Sequence, residues 1–131
     1  MNYKVFISHS STDAWVANQI KKYIDGFKAT TFLDEGCIDA GDDFENVILK
    51  ELRSSKELLV LFTPWSLERP YLWMEVGAAW GIGLRIVGVL YGLSEKDINE
   101  NSKTPVLIKK SNLVELNDIN KYFNQLKKRI K

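Results

Sequence analysis

One cysteine, one histidine and three prolines stand in a chain of 131 residues. With Cys37 alone, no disulfide can close within the chain, which excludes a small fold stapled by disulfides. His9 is equally solitary, so the usual nitrogen and sulfur metal sites cannot be assembled and no metal is expected. No apolar run approaches the ~20 residues of a membrane span, and MNYKVFISHS holds no hydrophobic stretch of signal-peptide length. A membrane is therefore not an expected partner, and the cytoplasm is the expected location. The 18 basic and 17 acidic side chains leave a net charge of +1, too little to draw in nucleic acid. What is present is 45% hydrophobic and 27% charged, the balance of an ordinary globular domain. The length suits one core, a single domain over residues 1–131, with no repeat or linker.

Short apolar runs alternate with helical stripes along the chain. Tyr3 to Ile7 is rich in β-branched and aromatic residues and ends in a polar cluster, so it reads as a buried strand entering a loop. Val16, Ile20, Tyr23, Ile24 and Phe27 then recur at helical spacing, with a hydroxyl N-cap expected near Ser11 or Thr12 and Gly26 closing the helix. Lys28 to Leu33 is a second strand, followed by the acidic, glycine-bearing stretch Asp34 to Asp43, which reads as a long loop. Asp42 and Glu45 match an N-cap and its reciprocal partner ahead of Phe44, Val47, Ile48 and Leu52. The unbroken run Leu58 to Phe62 predicts a central strand covered on both faces. Pro70 suits a helix's first turn, and Trp73, Val76, Gly77 and Trp80 supply that helix an apolar side, its glycines allowing close packing. Arg85 to Tyr91 is a fourth strand, Val106 to Ile108 a short fifth, and Ile119, Tyr122, Phe123, Leu126 and Ile130 mark a closing helix. This alternation predicts an α/β fold: an open, doubly wound, mostly parallel five-stranded sheet with helices on both faces.

In such sheets ligands bind beyond the carboxyl ends of the strands, near the switch in strand order. Three segments qualify: Ser8 to Asp13, Asp34 to Phe44, and Thr63 to Glu75. Tyr71 and Glu75, four apart, share a helix face from which Trp73 turns away. By spacing alone Glu75 is either a surface carboxylate paired with Arg69 or a lysine, or a carboxylate of the site.

Taken in order, KVFISHSSTD, TTFLDEGCIDAGDDFENVI and LLVLFTPWSLERPYLWMEVGAAWG resemble the three diagnostic segments of the Toll/interleukin-1 receptor (TIR) domain in its bacterial form, over essentially the whole chain. Many bacterial members cleave NAD+ between nicotinamide and ribose. The resemblance implies that Glu75 is the catalytic glutamate, that NAD+ is substrate rather than cofactor, and that no cofactor is needed. It also implies nicotinamide and linear or cyclic ADP-ribose as products, within anti-phage immunity. Phe44 would stack on the nicotinamide, or simply belong to its helix core. Ser8, His9 and Ser10, with Ser11, would contact the nucleotide, although helix capping equally explains the serines. His9 reads as a structural or substrate-contacting residue rather than a base. Tyr71 stands where the family often has tryptophan, and Arg69 or backbone amides would take the phosphate role of basic residues that this chain lacks in its first segment.

The alternative is a non-catalytic module that joins like domains through the Asp34 to Asp43 loop, with Glu35, Cys37, Ile38 and Asp39 at the contact. Expected partners are other TIR domains in a homo-oligomer and a sensor or effector domain or protein. A phosphoacceptor receiver shares the architecture, but it needs an aspartate after the third strand, where this chain has Thr63, Pro64 and Trp65.

Overall fold

The computed structural model describes residues 3–33, 44–100 and 112–131. The elements in chain order are β1 (Lys4–Ser8), α1 (Ala14–Asp25), β2 (Thr30–Leu33), α2 (Phe44–Ser54), β3 (Glu57–Phe62), α3 (Pro70–Gly81), β4 (Arg85–Leu90), α4 (Glu95–Glu100), β5 (Asn112–Glu115) and α5 (Ile119–Ile130). Short 3-10 turns at Ser11–Asp13, Ser66–Glu68 and Leu116–Asp118 precede α1, α3 and α5. All strand pairs are parallel, in the order β2-β1-β3-β4-β5, with Val5 opposite both Thr31 and Glu57. The chain steps outward from β1 to β2 and then returns to the other side of β1. The switch in strand order therefore falls between β1 and β3.

Alternation along the strands builds a core on each face. Val5, Ile7, Leu59, Leu61, Val87 and Val89 point toward α1 and α5, where they meet Ile20, Ile24, Tyr122, Phe123 and Leu126. Phe6, Leu58, Val60, Phe62 and Leu90 point the other way, against Ile48 and Leu52 of α2, Leu72, Val76 and Ala79 of α3, and Ile98 of α4. Every residue of β3 is buried, as its continuous apolar run predicts for a strand covered on both sides.

The structure changes several local expectations. Lys28 was expected in the second strand, but it adopts a left-handed backbone (φ 64°), which no strand residue can hold, and β2 starts at Thr30. Gly26 does follow α1, yet with right-handed φ (−75°), so the reversal falls on Lys28. The hydroxyl cap expected at Ser11 or Thr12 is absent. A 3-10 turn leads into α1, and the Ser10 hydroxyl instead bonds the Asp13 carboxylate at 2.6 Å. The inward stripe of α3 is Leu72, Glu75, Val76 and Ala79, whereas Trp80 is 63% exposed. A Cβ at Gly77 or Gly81 would meet nothing within 4 Å, so neither glycine serves close packing. Gly88 does: a Cβ there would lie 2.6 Å from Leu113 Cδ2 and 2.7 Å from the Phe62 ring. Val106 to Ile108, the expected fifth strand, and the expected cap Asp42 lie outside the described residues. The strand observed beside β4 is Asn112–Glu115.

At the amino ends of the strands, Glu57 is fully buried. It accepts hydrogen bonds from Tyr3, from the Tyr122 hydroxyl at 2.5 Å, and from Arg129 Nε and Nη2 at 3.0 and 3.1 Å. This cluster pins α5 to the sheet at the end opposite the switch point.

Candidate active site

At the carboxyl ends of β1 and β3 polar groups are buried together: Ser8, His9, Ser10, Asp13, Thr63, Ser66 and Glu75. Such groups are costly inside a protein unless they bond one another. Most of the apolar core lies behind them, and the strand ends bring them within reach.

Glu75 arrives there because α3 starts at Pro70 and turns residues 72, 75, 76 and 79 inward. Its side chain has 0% exposure, and Oε1 accepts a hydrogen bond from Ser8 Oγ at 2.5 Å. Arg69 Nη1 stands 3.9 Å from the same oxygen and donates a hydrogen bond to the carbonyl of His9. Pairing with Arg69 was one outcome of the sequence reading, but the solvated helix face that went with it is not what forms. The pair sits under the end of β1.

A second group of bonds ties the two strand-end loops together. Asp13 Oδ2 accepts from Ser10 Oγ and from Thr63 Oγ1, both at 2.6 Å. Thr63 and Ser66 then close a small turn, with the Thr63 amide donating to Ser66 Oγ at 2.8 Å and the Ser66 amide to Thr63 Oγ1 at 3.1 Å. Asp13, Thr63 and Ser66 lie in two of the segments that the sequence singles out, but none of them is assigned a role there. Asp13 reads there as the end of the polar loop after the first strand, and nothing local announces a bond to a residue 50 positions away. The signal available in advance was the Thr63-to-Ser66 spacing, a common turn in which a hydroxyl caps a nearby amide.

The structure thus gathers Ser8, His9, Ser10, Arg69 and Glu75. Tyr71 lies at the edge, 38% exposed, its hydroxyl 3.3 Å from Glu45 of α2. Trp73 packs on Phe62 (ring centroids 5.7 Å apart), and its indole N–H bonds the Leu67 carbonyl at 3.0 Å. Phe44 opens α2, placing its backbone on the helix beside Tyr71's partner. Glu35, Cys37, Ile38 and Asp39 lie outside the described residues. Among the described residues no group of His, Cys, Asp and Glu is placed to hold a metal ion, and no helix is long and apolar enough to cross a membrane.

Sheet order and buried carboxylate together define a doubly wound α/β domain with an acidic site at its switch point. Residues 5–129 match the model of the TIR domain, and the chain belongs to that family. Its fold is similar to the TIR domain of the Toll-related receptor TRR-2 from Hydra magnipapillata, at 17% identity and a TM-score of 0.72, covering 98% of this chain and 97% of that one. It is also similar to the TIR domains of the activated Roq1 resistosome that recognises the effector XopQ, at 19% identity and a TM-score of 0.66, over 83% of this chain and 70% of that one. A TIR-STING receptor from C. gigas, solved with 2',3'-cGAMP, shares 21% identity and a TM-score of 0.67 over 86% of this chain, which spans 34% of that receptor. A search of curated proteins finds no match in sequence.

Proposed function

We propose that this TIR domain is an NAD+ glycohydrolase or ADP-ribosyl cyclase with Glu75 as its catalytic carboxylate. The observation that carries the reading is a wholly buried glutamate at the carboxyl ends of the central strands. Surface decoration does not account for a charge held there, because removing a carboxylate from water costs several kcal/mol (~) unless it is compensated. The match to the TIR family and the resemblance of the three sequence segments to bacterial, NAD+-cleaving members supply the reaction.

The chemistry needs one carboxylate. Breaking the C1'–N bond sends the bonding electron pair to the pyridinium nitrogen, so nicotinamide departs neutral without a general acid. The remaining ribosyl cation is stabilised by its ring oxygen and by the negative charge of Glu75, which also accepts hydrogen bonds from the ribose hydroxyls. Water adds to C1' and releases a proton to give ADP-ribose, or an adenine nitrogen adds to give a cyclic product. Ser8, His9, Ser10 and Arg69, gathered at the end of β1 beside the carboxylate, would contact the nucleotide, with Tyr71 at the edge and Phe44 assigned by resemblance to stack on the nicotinamide. Following the resemblance of the three segments to bacterial members, this activity would act in anti-phage signalling, with other TIR domains as partners in an active homo-oligomer.

The test is nicotinamide release from NAD+ by the purified protein at concentrations that permit assembly. Glu75→Gln is expected to lower the rate at least a hundredfold, and a variant as active as the parent refutes the assignment. The second reading is a non-catalytic module assembling through residues 34–43; outside that segment, the exposed Trp15 (74%) and Trp80 (63%) offer apolar surface for association of like domains. Ile38→Asp abolishing association, in a protein that never consumes NAD+, would support it.

A further inference from the structure

Catalysis by Glu75 requires its carboxylate to be ionised while enclosed, and enclosure opposes ionisation. The structure places counterweights close by, the Ser8 hydroxyl and the Arg69 guanidinium among them. Arg69 occupies the extended residue (φ −90°, ψ 111°) between the 3-10 turn at Ser66–Glu68 and α3. From there its side chain crosses to the end of β1, where Nη1 donates to the His9 carbonyl and lies 3.9 Å from Glu75 Oε1. Ser8, the residue before His9, donates to that same carboxylate oxygen. From these contacts we infer that Arg69 is a positioning residue, holding the Glu75 carboxylate charged and in its buried pose by bridging it to the backbone at the end of β1. The inference rests on the proposed reaction for its catalytic consequence but not for its electrostatics.

Other titratable groups approach from the neighbouring elements. His9 comes from the end of β1, while Asp13, already bonded to Ser10 and Thr63, comes from the turn before α1. Glu45 of α2 stands by the Tyr71 hydroxyl. Asp13 and Glu45 are acids and would oppose ionisation of Glu75, so the guanidinium has to outweigh them. Its two tasks also differ in what they demand. An ammonium can supply the positive charge, but both contacts run through Nη1 at the far end of the guanidinium, and lysine's shorter side chain reaches that point only in part.

The experiment follows the Glu75 carboxyl carbon by NMR as pH is varied, assigned by its disappearance in Glu75→Gln. The proteins compared are wild type, Arg69→Met and Arg69→Lys, with nicotinamide release measured across the same pH range. A cation at this distance commonly lowers a carboxyl midpoint by about one to three units. Arg69→Met is therefore expected to move the Glu75 midpoint up by about that much, with the acid limb of kcat moving in step and KM changing less. Arg69→Lys should keep the midpoint near wild type but recover only part of kcat. An unmoved midpoint in Arg69→Met overturns the inference. If that variant does not fold, Arg69→Lys decides: a release rate equal to wild type overturns it, and a reduced rate with an unmoved midpoint supports it. If even the wild-type protein releases no nicotinamide, the proposed reaction fails, while the titration of the free protein still decides the role of Arg69.

Discussion

Replacing Glu75 by glutamine separates a carboxylate kept for chemistry from one kept for the fold. The charge is fully buried and faces Arg69 at 3.9 Å, a separation worth about 4 kcal/mol of attraction at an effective dielectric of ~20. Against this stands the loss of hydration, several kcal/mol (~) for an ion in such a place. The two nearly cancel. Glutamine keeps the shape and an acceptor oxygen for Ser8, so its hydrogen bond at 2.5 Å can be retained in weaker, uncharged form. Arg69, 24% exposed and bonded to the His9 carbonyl, keeps partners once the charge is gone, so the expected loss of unfolding free energy is about 1 kcal/mol, below the ~3–5 kcal/mol of a pair whose remaining charge is left wholly buried. Urea denaturation at pH 7 followed by circular dichroism reads that change, and the nicotinamide assay reads activity on the same preparation. A loss of about 3 kcal/mol or more would mean that the Arg69–Glu75 pair is a structural strut, and the reasoning that assigns the buried charge to catalysis would be refuted.

Three further outcomes follow from the packing. Gly88→Ala should cost about 1–3 kcal/mol, seen as a lower melting temperature, because Leu113 and Phe62 already fill the space a methyl needs. Asp13→Ala should cost about 2–3 kcal/mol by removing the shared acceptor of the buried Ser10 and Thr63 hydroxyls, and should lower nicotinamide release by loosening β1's end from β3's; unchanged stability would show that the two hydroxyls find other partners. Burial, then the Glu57 carboxylate, hold the Tyr122 and Tyr3 hydroxyls above their usual pKa, so as pH rises past about 10 the unfolded chain loses these protons first. Stability should therefore be full below pH ~10 and fall above it, with a shallower fall in Tyr122→Phe, as measured by denaturant midpoints across that range.

Much of the fold could be read in advance because its signals are local. The run Leu58 to Phe62 is apolar on both faces, and the sheet does enclose it on both. α5 buries Tyr122, Phe123 and Leu126, three residues of the stripe that spacing predicts. What failed was tertiary. The apolar residues of α3 surround it nearly completely, so their spacing could not say which side faces inward: of its two tryptophans Trp73 packs on Phe62 and Trp80 faces out. The described edge strand Asn112–Glu115 has four residues, of which Leu113 and Val114 are apolar and only half-buried, a pattern too short to stand out from a loop.

The site was legible as a location and not as a set of contacts. Position at a strand's carboxyl end singled out Glu75, but whether that glutamate was buried depended on which way α3 rolled. The two buried glutamates, at opposite ends of the sheet, show what the difference means. Glu57, at the amino ends, is met directly by Arg129 through two nitrogens at 3.0 and 3.1 Å and by two tyrosine hydroxyls. Nothing in that arrangement can move without breaking several strong bonds at once. Glu75, at the carboxyl ends, has its arginine at 3.9 Å, with the guanidinium hydrogen-bonded to a backbone carbonyl. Ser8 Oγ also meets Glu75 directly at 2.5 Å, so both carboxylates are held by bonded neighbours, Glu57 by groups from β1's start and α5 and Glu75 by groups from the end of β1 and the turn before α3. The difference is one of place: Glu57 ties α5 to the amino ends of the sheet, whereas Glu75 lies at the switch point where this architecture places its ligands.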